Sequence, residues 1–198
     1  MAEKTATPTP RLKAPRLKEM YKETYVRELQ AELALANVHQ VPKLEKITVS
    51  VGTGKAKESK AHIEAVRNTL TKITGQKPVD RLAKKSIASF KIRAGMGAPV
   101  GISVTLRGAR MYEFLDRLVN IALPRVRDFH GVGVKFDKGG NYNLGLTDQS
   151  IFTELTFEET QTIHGLQVTF TIENGDAIKS RALLEKFGLP FEKEGDRR

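Results

Sequence analysis

Glu45-Lys46-Ile47-Thr48-Val49-Ser50-Val51 alternates cleanly between polar and apolar residues. In an extended strand, Ile47, Val49 and Val51 lie on one face and Lys46, Thr48 and Ser50 on the other. The pattern returns at Gly101–Arg107, where Ile102, Val104 and Leu106 oppose Ser103, Thr105 and Arg107. It returns again where Leu166, Val168, Phe170 and Ile172 oppose Gln167, Thr169, Thr171 and Glu173. Strands with one apolar face and one hydroxyl-rich or basic face suit an antiparallel sheet covered on one side and wet on the other. The expected fold class is therefore α+β: a mostly antiparallel sheet, helices packed on one face, and an open polar face.

The segments that would supply the cover are readable. Tyr21, Tyr25, Leu29 and Leu33 recur every four residues in a helical stretch over 17–36 that ends before Pro42. Ile63, Val66, Leu70 and Ile73 have the spacing of an amphipathic helix, and Gly75 stops it. Met111, Phe114, Leu115, Leu118 and Ala122 mark another, stopped by Pro124. Asp176 suits the N-cap of a last helix running to Phe187, with Gly188 and Pro190 beyond it. Gly131, Gly133, Gly139 and Gly140 make 127–141 loop-rich, and Tyr142–Leu146 reads as a short strand. The chain divides into a basic leader over 1–16, expected to be disordered, one domain over 17–191 and a polar tail over 192–198. Between Gly75 and Gly101 lie Lys77, Arg81, Lys84, Lys85, Lys91 and Arg93, with Asp80 as the one acid. This segment is expected to form two strands around a loop near Leu82–Ile87.

The 198 residues suit one domain with its own core and carry a net charge of +10. That balance implies an anionic partner: nucleic acid, a membrane surface or an acidic protein. Basic membrane helices place large apolar residues opposite a one-sided Lys/Arg face, and residues 17–36 mix Glu and Lys too evenly for that. No apolar run approaches the ~18 residues of a bilayer span. The N-terminus lacks the apolar core of a signal peptide. The chain has no cysteine, which excludes disulfides, thiolate zinc sites and cysteine nucleophiles and suits a reducing cytoplasm.

Sites for chemistry are hard to find. Val51-Gly52-Thr53-Gly54-Lys55-Ala56 sits between a strand and a helix, as a phosphate-holding turn would. The phosphate-loop pattern fails, because Val49 and Ala56 occupy its outer glycine and hydroxyl positions. Lys57 stands at the third glycine of the dinucleotide pattern. His39, His62, His130 and His164 form no spaced metal pair. Neither an enzyme nor a cofactor or metal site is expected. The alternative kept open is an RNA-acting or nucleotide-dependent factor using Gly52–Lys55.

Six motifs carry a resemblance, in order along the chain. They are Gln40-Val-Pro-Lys-Leu-Glu-Lys-Ile-Thr-Val, Gly75-Gln-Lys-Pro, Lys85-Ser-Ile-Ala-Ser-Phe-Lys-Ile-Arg, Val104-Thr-Leu-Arg-Gly, Pro124-Arg-Val-Arg-Asp-Phe and Gly140-Asn-Tyr-Asn-Leu-Gly. Together they resemble the bacterial form of large-subunit ribosomal protein number five, the 5S rRNA-binding family, from about Tyr21 to Phe191. The resemblance implies a non-enzymatic constituent of the cytoplasmic ribosome, placed in the central protuberance. It implies 5S rRNA and 23S rRNA as partners, with neighbouring 5S-binding ribosomal proteins and a small-subunit head protein across an intersubunit bridge. Carried over by residue, the rRNA-binding set is Gln76, Phe90, Thr105, Arg107, Ser50 and Lys46. Arg81, Lys84, Lys85, Ser86 and Lys91 match the family's basic loop toward the peptidyl-site tRNA. Ser50 stands where the family commonly has Asn, and the turn over Gly95–Gly101 is longer than usual.

Overall fold

Apolar residues at every second position leave both edges of a strand free to pair, and the chain uses them to build one sheet. The computed structural model describes residues 14–54, 59–90, 92–95 and 99–192, the side chain of Phe90 excepted. In chain order the elements are α1 (Arg16–Met20), a π-helical turn (Tyr21–Tyr25), α2 (Val26–Glu32), β1 (Lys43–Gly52), α3 (Lys60–Thr74), β2 (Val79–Arg81), β3 (Gly101–Leu106), α4 (Gly108–Arg117) with a π-helical end (Leu118–Ala122), β4 (Tyr142–Leu146), the single turn α5 (Phe157–Thr160), β5 (Leu166–Glu173) and α6 (Ala177–Lys186). The five strands lie in the order β2-β3-β1-β5-β4, and every pair is antiparallel. The α+β reading is correct.

One face of the sheet is dry. Ile47, Val49, Val51, Ile102, Val104, Leu106, Val168, Phe170 and Ile172 are all buried. They join a single core with Ile63, Val66, Leu70 and Ile73 of α3, Met111, Phe114 and Leu115 of α4, and Leu183 and Leu184 of α6. Each such side chain contributes about 1.5–3 kcal/mol of transfer free energy, so the strand alternation and the helix periodicity stabilise the same interface. The rings of Tyr21, Tyr25 and Tyr112 surround Phe187 at centroid distances of 5.9, 5.9 and 6.0 Å, fixing the π-helical turn and α4 against the C-terminal end of α6. The Tyr21 hydroxyl donates to the carbonyl of Pro42 at 3.0 Å, where the chain turns into β1. Stop signals act where expected. Gly75 takes φ +65° after α3, and the Asp176 carboxylate accepts from the Ala177 N–H at 2.8 Å to start α6. Arg16, placed in the leader by composition, opens α1 and pairs with Asp116 at 2.7 Å.

The basic stretch departs from expectation. Its first strand, β2, is three residues long and fully exposed. No second regular strand follows between it and β3 among the described residues. The chain instead makes a narrow excursion, held by mutual bonds between Ile87 and Ile92 (3.0 and 3.1 Å) and by Gly95 N–H to Ala83 O (3.0 Å). Its turn is the 3-10 segment Ala88–Phe90, not Leu82–Ile87. A ladder this short, with almost all of its described side chains exposed, has too little apolar cover to extend into a strand pair.

A buried polar knot closes the region before β5. Gln149 is fully buried; its Nε2 donates to Thr162 O at 2.8 Å, and its Oε1 accepts from His164 N–H at 2.8 Å. The His164 ring is buried with its Nε2 unpartnered, and it meets the His62 ring edge-on at 6.1 Å. Burial first, and the facing His62 as well, hold the His164 imidazole below its ordinary 6.5; the Thr162 carbonyl and Asp148 pull the other way. The unfolded chain thus takes up this proton more readily than the native one, so unfolding free energy declines as pH falls below about 6.5. Thermal melts from pH 7.5 to 5 should show this loss, and His164→Gln should flatten it. The lowered carboxyls Glu45, Asp137 and Glu159 act only below their ordinary values of 4.5, 3.8 and 4.5. An unchanged pH profile in the variant would remove His164 from the effect.

Candidate nucleic-acid interface

The second face of the sheet is polar in ranks set by strand register. Ser103, Ser50 and Gln167 align across β3, β1 and β5. Thr105, Thr48, Thr169 and Asn143 form the next rank, from β3 to β4. Lys46 and Thr171 begin the third, and Arg107 comes beside Lys46, one residue beyond the Ile47–Leu106 pair. Thr48, Ser50, Thr105, Thr169 and Thr171 are half-buried, while Arg107, Gln167 and Asn143 are exposed. Asn143 Oδ1 accepts from Thr169 Oγ1 at 2.7 Å and Gln167 Nε2 at 3.3 Å. Hydroxyls and amides on a flat sheet offer both donors and acceptors, which suits phosphate oxygens and 2′-hydroxyls.

Charge frames this face on the β2 side. Arg81 lies over the sheet, its Nε donating to Ser103 Oγ at 2.8 Å, which buries Ser103. Asp80 is held by Arg67, which donates through Nε and Nη2 at 3.1 and 2.5 Å. The one acid of the basic stretch is therefore neutralised, and Lys77, Lys84, Lys85 and Arg93 of the same stretch are all exposed. Ser86 caps the excursion by accepting from Ala94 N–H at 2.9 Å. The fold thus brings Ser50, Lys46, Thr105 and Arg107 onto one face, with Gln76 at its border. Gln76 is partly committed, because its Nε2 donates to Thr105 O at 3.2 Å. Of the basic set, Arg81 ends β2 and borders the face through Ser103, while Lys84, Lys85 and Ser86 lie on the adjoining excursion. Lys91, the Phe90 side chain and residues 1–13 and 193–198 lie outside the described residues.

Two residue sets escaped the sequence. Glu45 bonds to Arg107 on the polar side, although strict alternation from Ile47 would turn it inward. The Asn143–Thr169–Gln167 cluster joins β4 to β5 across a register that no local spacing announces. The glycine turn after β1 is turned inward instead. Thr53 N–H donates to Val100 O at 3.0 Å, and its hydroxyl donates to Pro99 O in a buried position. Those groups cannot reach a nucleotide phosphate; Lys55 lies outside the described residues. Among the described residues, no group of three or more His, Asp or Glu is arranged to hold a metal, and no helix is long and apolar enough to cross a membrane.

Comparison with known proteins shows the family. Residues 37–93 match the family model described as ribosomal protein L5, and residues 99–191 match the model of the same ribosomal family's C-terminus. The chain is 50% identical over 177 residues to the large ribosomal subunit protein uL5 of Dichelobacter nodosus, covering 89% of this chain and 98% of that one. It is 51% identical over 180 residues to uL5 of Flavobacterium johnsoniae, covering 90% and 97%. Against the uL5c protein of Paulinella chromatophora it is 48% identical over 176 residues, covering 88% and 97%. Two family models in tandem and half-identity along nearly whole relatives place the chain in the bacterial type of the ribosomal protein uL5 family.

Proposed function

We propose that this chain holds 5S rRNA, with adjoining 23S rRNA, in the central protuberance through the polar face of its sheet, and that the basic excursion reaches the peptidyl-site tRNA. Its family makes it a structural, non-enzymatic constituent of the large subunit, at work on the cytoplasmic ribosome. The observation that carries the finer reading is the polar face itself: ranks of Ser, Thr, Gln and Asn on strands whose other face is fully buried. Thr48, Ser50 and Thr105 present hydroxyls to phosphate and ribose groups, and Lys46 and Arg107 supply charge at one end. Phe90 belongs to the same reading as a ring for base stacking, and Gln76 as a border contact. Neighbouring 5S-binding proteins and the small-subunit head protein complete the proposed surroundings. Recognition is of folded RNA shape with phosphate neutralisation, and no bond is made or broken.

The test is a gel shift of the purified chain with 5S rRNA, with tRNA of similar size as competitor, across a salt series. Binding to 5S rRNA that survives competitor supports the reading, whereas loss to any RNA alike overturns it. The division of labour has its own check. Lys84→Glu with Lys85→Glu should leave 5S affinity within about threefold, because the two exposed ammoniums sit on the excursion rather than the face. The same variant should weaken tRNA occupancy of the peptidyl site in assembled ribosomes. Collapse of 5S binding would make the excursion a primary rRNA contact.

A further inference from the structure

The sheet's polar face carries one carboxylate in an unexpected position. In β1 the pairing with β5 slips between Leu44, opposite Ile172, and Lys46, opposite Thr171, so Glu45 is the extra residue of a β-bulge. Bulges re-aim side chains. Here Glu45 leaves the inward set that holds Leu44 and Ile47 and joins Lys46 outside the core. Its Oε1 accepts from Arg107 Nη1 at 3.0 Å and lies 3.8 Å from Lys46 Nζ. Among the described residues, Glu45 is the sole carboxylate in an ion pair with either cation.

We propose that Glu45 is a built-in phosphate mimic, which occupies Arg107 and Lys46 while the face is empty and must be displaced when an RNA phosphate binds there. The geometry matches the role. A carboxylate and a phosphate present similar pairs of acceptor oxygens to a guanidinium, and the same donors cannot serve both fully. The pair is open to exchange, because Arg107 is 57% and Glu45 39% exposed. An exposed pair is weak, so a phosphate with neighbouring hydroxyl contacts overcomes it, while a passing phosphate must compete for the charge. Glu45 would thereby lower indiscriminate binding to the two cations nearest the Thr and Ser ranks. This inference rests on the polar face being the RNA site, as proposed above.

Glu45→Gln separates competition from positioning, since the amide keeps an acceptor oxygen and loses the charge. Filter binding to 5S rRNA across a salt series should show affinity rising about two- to fivefold, the scale of an exposed ion pair. The salt slope should steepen by up to about one, since Glu45 no longer reclaims a counterion when displaced. Glu64→Gln, on the exposed surface of α3, removes the same charge elsewhere and should give a smaller gain. In an Arg107→Gln background the gain from Glu45→Gln should shrink sharply, and melts should confirm that all variants fold. Weaker binding by Glu45→Gln would show instead that Glu45 positions Arg107, and no change, or a gain equal to that of Glu64→Gln, would make it inert; each outcome overturns the proposal. If wild-type chain does not prefer 5S rRNA over tRNA, the functional reading above fails, whatever Glu45→Gln does.

Discussion

Arg107→Glu is expected to weaken 5S rRNA binding by about 100-fold while moving the melting temperature by no more than ~3 °C. The binding loss has two sources. A guanidinium that forks onto a phosphate contributes about 1.5–3 kcal/mol as a charge-assisted contact. Its replacement places a second carboxylate beside Glu45, whose present partner is Arg107 at 3.0 Å, and both would repel the approaching backbone. Stability should barely move. Arg107 is exposed, its ion pair with Glu45 is worth at most about 1 kcal/mol, and its backbone is ordinary extended chain at φ −138°. As the cap residue before α4, a Glu there also faces the favourable end of the helix dipole. Arg107→Lys keeps the charge without the fork and should lose about tenfold. Equilibrium gel shifts at fixed salt provide the measurement. An Arg107→Glu affinity within threefold of wild type would take Arg107 out of the site and leave the polar face without its strongest anchor.

Gly140→Ala should cost about 3 kcal/mol or more and lower the melting temperature by about 10 °C. Gly140 is buried at φ +71°, a region that L side chains seldom adopt. A Cβ built there would lie 2.6 Å from Gly175 C, 2.7 Å from Asp176 N and 2.9 Å from Gly175 O, all backbone atoms. Neither side can yield. The loop is tied by Asp137, whose Oδ1 accepts from Gly139 and Asn141 N–H at 2.9 and 2.7 Å. Asn141 Oδ1 in turn accepts from Ile172 N–H at 3.2 Å, fastening the loop to β5. The opposing backbone at Asp176 is the cap of α6. Separating them would disturb Tyr142, whose ring packs against Phe136, Phe170 and Phe191 at 5.1, 6.0 and 5.5 Å. Gly145 on the edge strand β4 is the control: a Cβ added to it would meet nothing within 4 Å, and its Ala variant should melt within about 3 °C of wild type. If Gly140→Ala melts with the wild type as well, the close approach of the two loops is not a constraint.

Particular elements show how far the sequence reached. β1, β3 and β5 were legible because a half-buried strand writes its two faces into a period of two, and burial follows that period along most of each strand. α3 was legible from four apolar residues, all of which are buried, and its end from one glycine. The excursion after β2 was misread as a strand pair, since short exposed ladders depend on turn geometry and a few backbone bonds rather than on a buried face. Of the site, Thr105, Ser50, Lys46 and Arg107 were placed on the polar set by alternation alone, and their family resemblance gave them a role.

What the sequence by itself determined is which face of each strand is dry, which helices cover it, and that the exposed surface is rich in positive charge, because those properties are local and periodic. Tertiary structure alone decided which polar residues stand side by side. Cross-strand register put Thr105, Thr48, Thr169 and Asn143 in one rank. A single inserted residue in β1 moved Glu45 from the core side to Arg107 and Lys46. The physical reason is that register is fixed by the whole buried face at once, whereas a bulge shifts it by one residue at small local cost and shows in the sequence only as a single step of three, from Leu44 to Ile47, in a period of two.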